Sequence, residues 1–418
     1  MRRRLIAAAA LVAAGIAGVL PALADVAQPT VVSADPVDFT PHALDGTVRA
    51  IAVVGPTVVV GGTFSSVAEE GGTRGWRRPY LFAFDAKTGE LRTRFAPAVD
   101  GAVYALAAGP DNTVYVGGAF RTVNGAASRG LARLSVETGG RVGGFSARIN
   151  WGDVRTLAVH GNRLYAGGPF SAVNGVARAG LARLDATTGA VDTGFDARLA
   201  AVDMARVRVE DMALSPDGRR LVAVGAISHA LGQPRAQLAM LDVSGPRAVL
   251  ANWHTDVFAG GCDPSLDTYL RGVDFAPDGS YFVTVTTGAL AGPDKMCDTA
   301  ARFETAGTGR HRPTWVNHTG GNTLFSVSVT GSAVYVGGHQ QWLDNPHGKK
   351  SKGPGAVDRP GIGAIHPKTG KALPWNPTRS RGVGARAIVA TTYGLYVGSD
   401  TDQLGREYHG RIGMFPLP

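Results

Sequence analysis

Val114-Tyr115-Val116-Gly117-Gly118-Ala119-Phe120-Arg121-Thr122-Val123-Asn124-Gly125 is the stretch on which the fold turns, because it returns as Leu164-Tyr165-Ala166-Gly167-Gly168-Pro169-Phe170 up to Val173-Asn174-Gly175. Its apolar-glycine-glycine centre recurs at Val60-Gly61-Gly62 and Val336-Gly337-Gly338, and more weakly at Val224-Gly225, Thr287-Gly288 and Val397-Gly398. Seven copies at a mean spacing of about 56 residues are the signature of a repeat architecture.

Each copy keeps the same company. Ahead of it lies a short apolar run: Val48-Arg49-Ala50-Ile51, Val103-Tyr104-Ala105-Leu106, Val154-Arg155-Thr156-Leu157, Val209-Glu210-Asp211-Met212, Leu270-Arg271-Gly272-Val273, Leu324-Phe325-Ser326-Val327 and Ala385-Arg386-Ala387-Ile388. Behind it comes an alternating run such as Leu131-Ala132-Arg133-Leu134 or Leu181-Ala182-Arg183-Leu184, then a turn like Asp85-Ala86-Lys87-Thr88-Gly89 whose glycine supplies positive φ. Short alternating runs bounded by glycine turns, with no useful helical period, predict an all-β chain. The fourth element ends in an aromatic: Phe95, Phe145, Phe195, Trp253, Trp315 or Trp375. Phe39 stands ahead of Val48 nearly as Phe95 stands ahead of Val103, so it takes the seventh place.

A sheet with two apolar faces is buried when such sheets stack radially, which also leaves only short edges. The expected fold is therefore a seven-bladed β-propeller over 36–418, with four antiparallel strands per blade. Its ring is closed by an N-terminal strand near Pro36 to Thr40 that completes the last blade. Residues 25–35 read as a linker.

The first 24 residues read as a signal peptide, with Arg2 to Arg4, an apolar stretch from Leu5 to Leu20, and Ala22-Leu23-Ala24 as the cleavage site. The stretch is shorter than the roughly 20 residues that a membrane span needs. Arg2-Arg3 leaves both the general secretory and the twin-arginine routes open. Loss of three arginines leaves 39 basic against 33 acidic side chains, so the formal charge falls from +9 to +6. That excess is diluted along the chain, which argues against nucleic acid as a partner. Cys262 and Cys297, in an exported chain, are expected to pair as a disulfide.

The run from Val114 to Gly125, followed by Leu131 to Leu134 and Thr138-Gly139, resembles the delta-sixty repeat of exported bacterial β-propellers. The likeness is strong over roughly 48–200, and it implies an exported propeller without a settled activity. The Thr-Gly turns followed by an aromatic are loosely similar to quinoprotein dehydrogenase repeats. Here, however, Gly89 precedes Phe95 by six residues and Gly370 precedes Trp375 by five, a longer spacing than that family's. Pyrroloquinoline quinone is accordingly not expected, and the hairpin turn accounts for the Thr-Gly pairs.

Antiparallel strands put the long loops between second and third strands on one face, together with the links between blades; the tight turns, such as Gly109-Pro110-Asp111-Asn112, lie on the other. Function usually occupies long loops on a rigid scaffold. The sharpest departures from the repeat fall there: His339, Trp342, Asp344 and His347 in the sixth copy, and Asp400, Asp402, Glu407 and His409 in the seventh. Their side chains suit a divalent metal site, an acid/base pair or a sugar-stacking platform, or else polar loop residues that satisfy one another. The recurring Arg129, Arg178, Arg235, Arg302 and Arg359 read as structural bonds between neighbouring blades.

No nucleophile motif, phosphate loop or metal signature accompanies these residues. The leading expectation is a secreted, monomeric, non-enzymatic binding or scaffold module for an extracellular or cell-wall glycan or protein. The alternative is an enzyme using the sixth and seventh loops, either a metal-assisted polysaccharide hydrolase or lyase or a quinone-dependent oxidoreductase.

Overall fold

The computed structural model describes residues 26–72, 74–289 and 292–418. The signal-peptide reading therefore falls outside the described residues. Among these residues the regular elements are all strands.

Seven antiparallel sheets follow one another along the chain, each beginning with an inner strand that pairs with the glycine-bearing second strand, which pairs in turn with the third. The inner strands are Val48–Val54, Val103–Gly109, Thr156–His160, Arg208–Leu214, Leu270–Phe275, Leu324–Val329 and Ala387–Ala390. They neighbour each other in chain order, and the last lies against the first.

Glycine permits that close stacking. A Cβ on Gly117 would stand 2.7 Å from Val154 Cγ1, just ahead of the next inner strand, and one on Gly398 would stand 2.5 Å from Val48 Cγ1, so a side chain at either position would push adjacent sheets apart. The core is accordingly divided between sheets. One cluster joins Ala52, Val59 and Phe95 to Val114, Val116 and Leu134; another joins Tyr396, Ile412 and Met414 of the last sheet to Val48, Val58 and Phe84 of the first.

The aromatics at the outer edge lock neighbouring sheets together. Trp253 Nε1 donates to Glu304 O, Trp315 Nε1 to Pro367 O, and Trp375 Nε1 to Ser33 O, each on the following sheet or the segment beside it. Ser33 lies in the N-terminal segment that runs antiparallel to the third strand of the seventh sheet, Ile412–Pro416: Ser33 N donates to Pro416 O and Val37 N to Met414 O. Pro36, which lacks an N–H, interrupts this pairing, and the segment forms no regular strand. Phe39 O occupies the space where a Cβ on Gly89 would fall, as Ser146 O stands 2.7 Å from the corresponding point at Gly189. Upstream, Gln28 N donates to Thr330 O, and Val32 is buried with its N–H on Tyr335 Oη.

The fourth strand differs from the sequence expectation. It is regular only in the fourth and fifth sheets, as Val249–Leu250 and Trp315–His318. Elsewhere it shrinks to single bridges such as Phe84 with Leu91 and Leu184 with Val191. Arg92 N still reaches Ala83 O, but Phe95 N then turns back to Arg92 O, so the ladder stops after one rung.

The recurrent arginines act mainly within a sheet rather than between neighbours. Arg178 Nη2 donates to Asp192 O and Thr193 O, and Arg359 to Leu373 O, tying the start of the third strand to the outer element that follows it. Arg302 is the exception, with one donor on Pro367 O of the next sheet.

Candidate functional site

The long-loop face is itself structured. Asn124-Gly125 and Asn174-Gly175 take positive φ and close two-residue-strand hairpins, Thr122–Val123 with Ala126–Ala127 and Ala172–Val173 with Val176–Ala177. The incoming link of the same sheet bridges to each hairpin, Val99 to Val123 and Ile149 to Val173, so loops and links share this face. The Val-Asn-Gly triplets carried the signal for these hairpins.

Cys262 and Cys297 form a disulfide on the same face, Cα to Cα 5.8 Å. It ties the link entering the fifth sheet to that sheet's long loop.

The eight residues that depart from the repeat fall into three places rather than one. Trp342 is half-buried in a short strand, Trp342–Leu343, paired with Val357–Asp358. Asp344 has φ 52° and takes the turn position of Asn124: its Oδ1 accepts from Asn317 Nδ2 at 2.7 Å and its Oδ2 from Ala372 N at 3.1 Å. His347 beside it is exposed. His339 and Asp400 meet through one link, with His339 Nδ1 3.1 Å from Val383 O and Asp400 accepting from the N–H groups of Val383 and Gly384. Burial holds the His339 imidazole below its usual pKa, as do the nearby Arg381, Arg386 and Arg379.

The third group faces the first sheet. His409 is buried, with Nε2 3.2 Å from Glu407 Oε1 and Nδ1 3.3 Å from Thr40 Oγ1, and its backbone N–H donates to Asp402 O. Among the described residues no group of three or more His, Cys, Asp or Glu side chains is placed to hold a metal ion.

A different set converges. The second residue of each apolar run lines a cavity of about 330 Å³ at the long-loop end of the space enclosed by the inner strands. Four are arginines, Arg49, Arg155, Arg271 and Arg386; two are aromatic, Tyr104 and Phe325; one is Glu210, and all seven are half-buried. In five strands this residue is the extra one of a β-bulge: Val48 pairs with Gly62 and Ala50 with Gly61, leaving Arg49 between them, and Tyr104, Glu210, Arg271 and Phe325 are left out in the same way. A bulge re-aims the side chain it carries.

The charges at this mouth are unevenly paired. Glu210 receives Arg155 and Arg208 at 2.5 Å each, while Arg155 also meets Asp153 and Arg208 meets Asp267. Burial alone would raise the Glu210 pKa, but Arg155, Arg208 and Arg271 hold it below the usual carboxylate value. Arg386 lies 3.6 Å from the Phe325 ring centroid and Arg49 5.3 Å from that of Tyr104. The opposite end of the same space is a cavity of about 690 Å³ lined by apolar residues such as Ile51, Leu106, Leu157 and Met212.

Two segments, residues 109–136 and 162–195, match the family model described as a domain of unknown function (DUF5122) beta-propeller. No curated protein matches the chain in sequence. Among solved structures, the chain is similar to the extracellular domain of the putative one-component system BT4673 from B. thetaiotaomicron, at 13% identity and TM-score 0.50, covering 92% of this chain and 40% of that one. The WD40 beta propeller domain of Doa1 gives 10% identity and TM-score 0.47, covering 92% and 97%. The computationally designed Ika8 protein gives 12% and 0.48, covering 92% and 100%. The stacked antiparallel sheets and the matched repeats agree on the fold: the chain is a β-propeller.

Proposed function

We propose that this protein is a binding module that receives its partner on the long-loop face of a closed, seven-bladed ring. The observation that carries the reading is the make-up of that face. A half-buried charged mouth is surrounded by exposed apolar side chains: Leu44, Trp151, Val202 and Val383 on links or adjoining segments, and Tyr408 on the seventh hairpin. Only one further large apolar residue is exposed among the described residues, Val249 on an outer strand. Apolar contacts grouped around polar ones are the usual composition of a recognition surface.

Trp151 rather than Trp342 is the exposed indole, and Arg206 lies 4.4 Å from its ring centroid. His339 and Asp400 set the link that presents Val383. The partner is an extracellular or cell-wall glycan or protein, and the module acts as a monomer without a cofactor. Export is part of the same reading, supported by the basic-apolar leader and by a disulfide, which persists in oxidising compartments.

Capture of envelope components by the immobilised protein tests this reading. Trp151→Ala and Tyr408→Ala should together lower the captured amount by at least about tenfold, since exposed aromatic anchors carry much of an interface's energy. Undiminished capture by the double variant would reject the face.

A further inference from the structure

We infer that the mouth of the channel is an oxyanion site, taking one carboxylate or phosphoryl group of a ligand that enters from the long-loop face. The inference rests on the binding-module reading and adds the chemistry of the ligand.

Three guanidiniums at the mouth lack what two others have. Arg155 and Arg208 each contact two carboxylates. Among the described residues no carboxylate oxygen comes within 4.0 Å of Arg49, Arg271 or Arg386, and Arg49 Nε is buried without a hydrogen-bond acceptor. Arg271 donates to the carbonyl of Leu270, a neutral acceptor. The cavity lining carries four arginines against Asp153 and Glu210, an excess of two positive charges. Glu210 directly contacts Arg155 and Arg208 and reaches the remaining arginines only at longer range.

Half-buried like charges repel one another in a medium that screens them poorly. Burial, with Arg49 and Arg271 nearby, pushes Arg386 down to about 10 against the opposing pull of Asp400 and Glu210. Burial also lowers Arg271. An anion between these groups supplies the missing acceptors and relieves the repulsion at once. Guanidinium donors match carboxylate and phosphate oxygens in pairs.

Phe325 and Tyr104, lying against Arg386 and Arg49, hold two of the planes in place. Bulges fix Arg49, Arg271, Tyr104 and Phe325 from the backbone, and Phe325 lies against Arg386, so the cluster is preorganised rather than assembled from flexible surface arginines. A volume of about 330 Å³ admits one small acidic group with the part of the ligand that carries it.

Calorimetric titration of the full protein at low ionic strength, in a buffer without oxyanions, tests the inference with inorganic phosphate, glucuronate and glucose. Phosphate, glucuronate or both should bind at a single site, and glucose should not; phosphate alone identifies a phosphoryl ligand and glucuronate alone an acidic sugar. Arg386→Gln and Arg49→Gln should each weaken binding by about tenfold or more, as expected for loss of a charge-assisted hydrogen bond. Arg129→Gln, an exposed arginine away from the mouth, should leave it unchanged. Circular dichroism of each variant confirms that it is folded, and if one mouth variant unfolds the other decides.

No oxyanion binding, or binding indifferent to both mouth substitutions, overturns the inference. If the Trp151- and Tyr408-dependent capture then persists, the binding-module reading survives alone. If capture is absent while phosphate or glucuronate still binds in an Arg386-dependent way, the oxyanion site stands and the broader reading falls.

Discussion

The two ends of the central space are built from the same seven strands, yet they differ in almost every physical respect. At the long-loop end, four arginines and a glutamate come together with two half-buried aromatics, five of the seven side chains being carried on bulges. Two residues further along the chain in each case, Ile51, Leu106, Leu157 and Met212 line an apolar cavity roughly twice as large. In five of these strands one extra residue marks the change from a charged environment to an oily one. The lesson is that the scaffold and the recognition surface depend on different forces, charge and covalent ties at one end and packed volume at the other.

That contrast can be broken experimentally. The largest effect should come from replacing Cys262 and Cys297 by alanine: the bond closes a sequence separation of 35 residues, for which loop-closure entropy gives about 4 kcal/mol. Denaturant unfolding with and without reductant measures it; equal stability would show that the long-loop face needs no covalent tie.

Acid is next. His318 is buried at the same end, and burial, with His347 nearby, lowers it to about 4 from an ordinary 6.5. The fold therefore holds the neutral ring. Its contribution is complete above pH 6.5 and disappears as the pH falls towards 4, a loss of about 3 kcal/mol. His318→Gln should flatten the stability curve across that window.

Glu210→Gln should cost about 2 kcal/mol at neutral pH, less than a fully broken buried pair because Arg155 keeps Asp153 and Arg208 keeps Asp267. Since the native carboxyl titrates below its usual value, variant and parent should converge only when the pH falls beneath the ordinary carboxylate range. Met212→Ala at the apolar end should cost a comparable but slightly smaller amount, about 2 kcal/mol or less, because an existing cavity already borders it. Its loss should be indifferent to salt, whereas that of Glu210→Gln should change with it. The smallest effect belongs to Arg49→Gln, within about 0.5 kcal/mol of the parent in thermal unfolding. A cost several times larger would make the mouth arginines structural and erase the distinction between the ends.

The repeat could be read from the chain because packing leaves no choice at its glycines: Gly61, Gly117 and Gly398 each meet a valine in or just ahead of the next inner strand, so the residue type itself records the contact. The disulfide was legible for a similar reason, with two cysteines and one pairing. The mouth was not. Its seven positions hold four chemical types, and five of them are turned inward by bulges that leave no mark in composition. Departures from the repeat drew attention instead to residues such as Asp344 and Asp400, which bond to nearby turns and links, and His409, which reaches Thr40 of the N-terminal segment. A residue that breaks a repeat need only be solving a local hydrogen-bonding problem.

The pairing of Val37 with Met414 also sets a timetable. The outer partner of the seventh sheet is among the earliest described parts of the chain to be synthesised, and its counterpart is among the last. During synthesis, early sheets can form while the circle stays open, with one apolar flank uncovered at each end of the growing arc. Closure must wait for Ile412–Pro416 to emerge. Such a sequence-distant final step favours slow completion and a period in which a protective chaperone has something to hold.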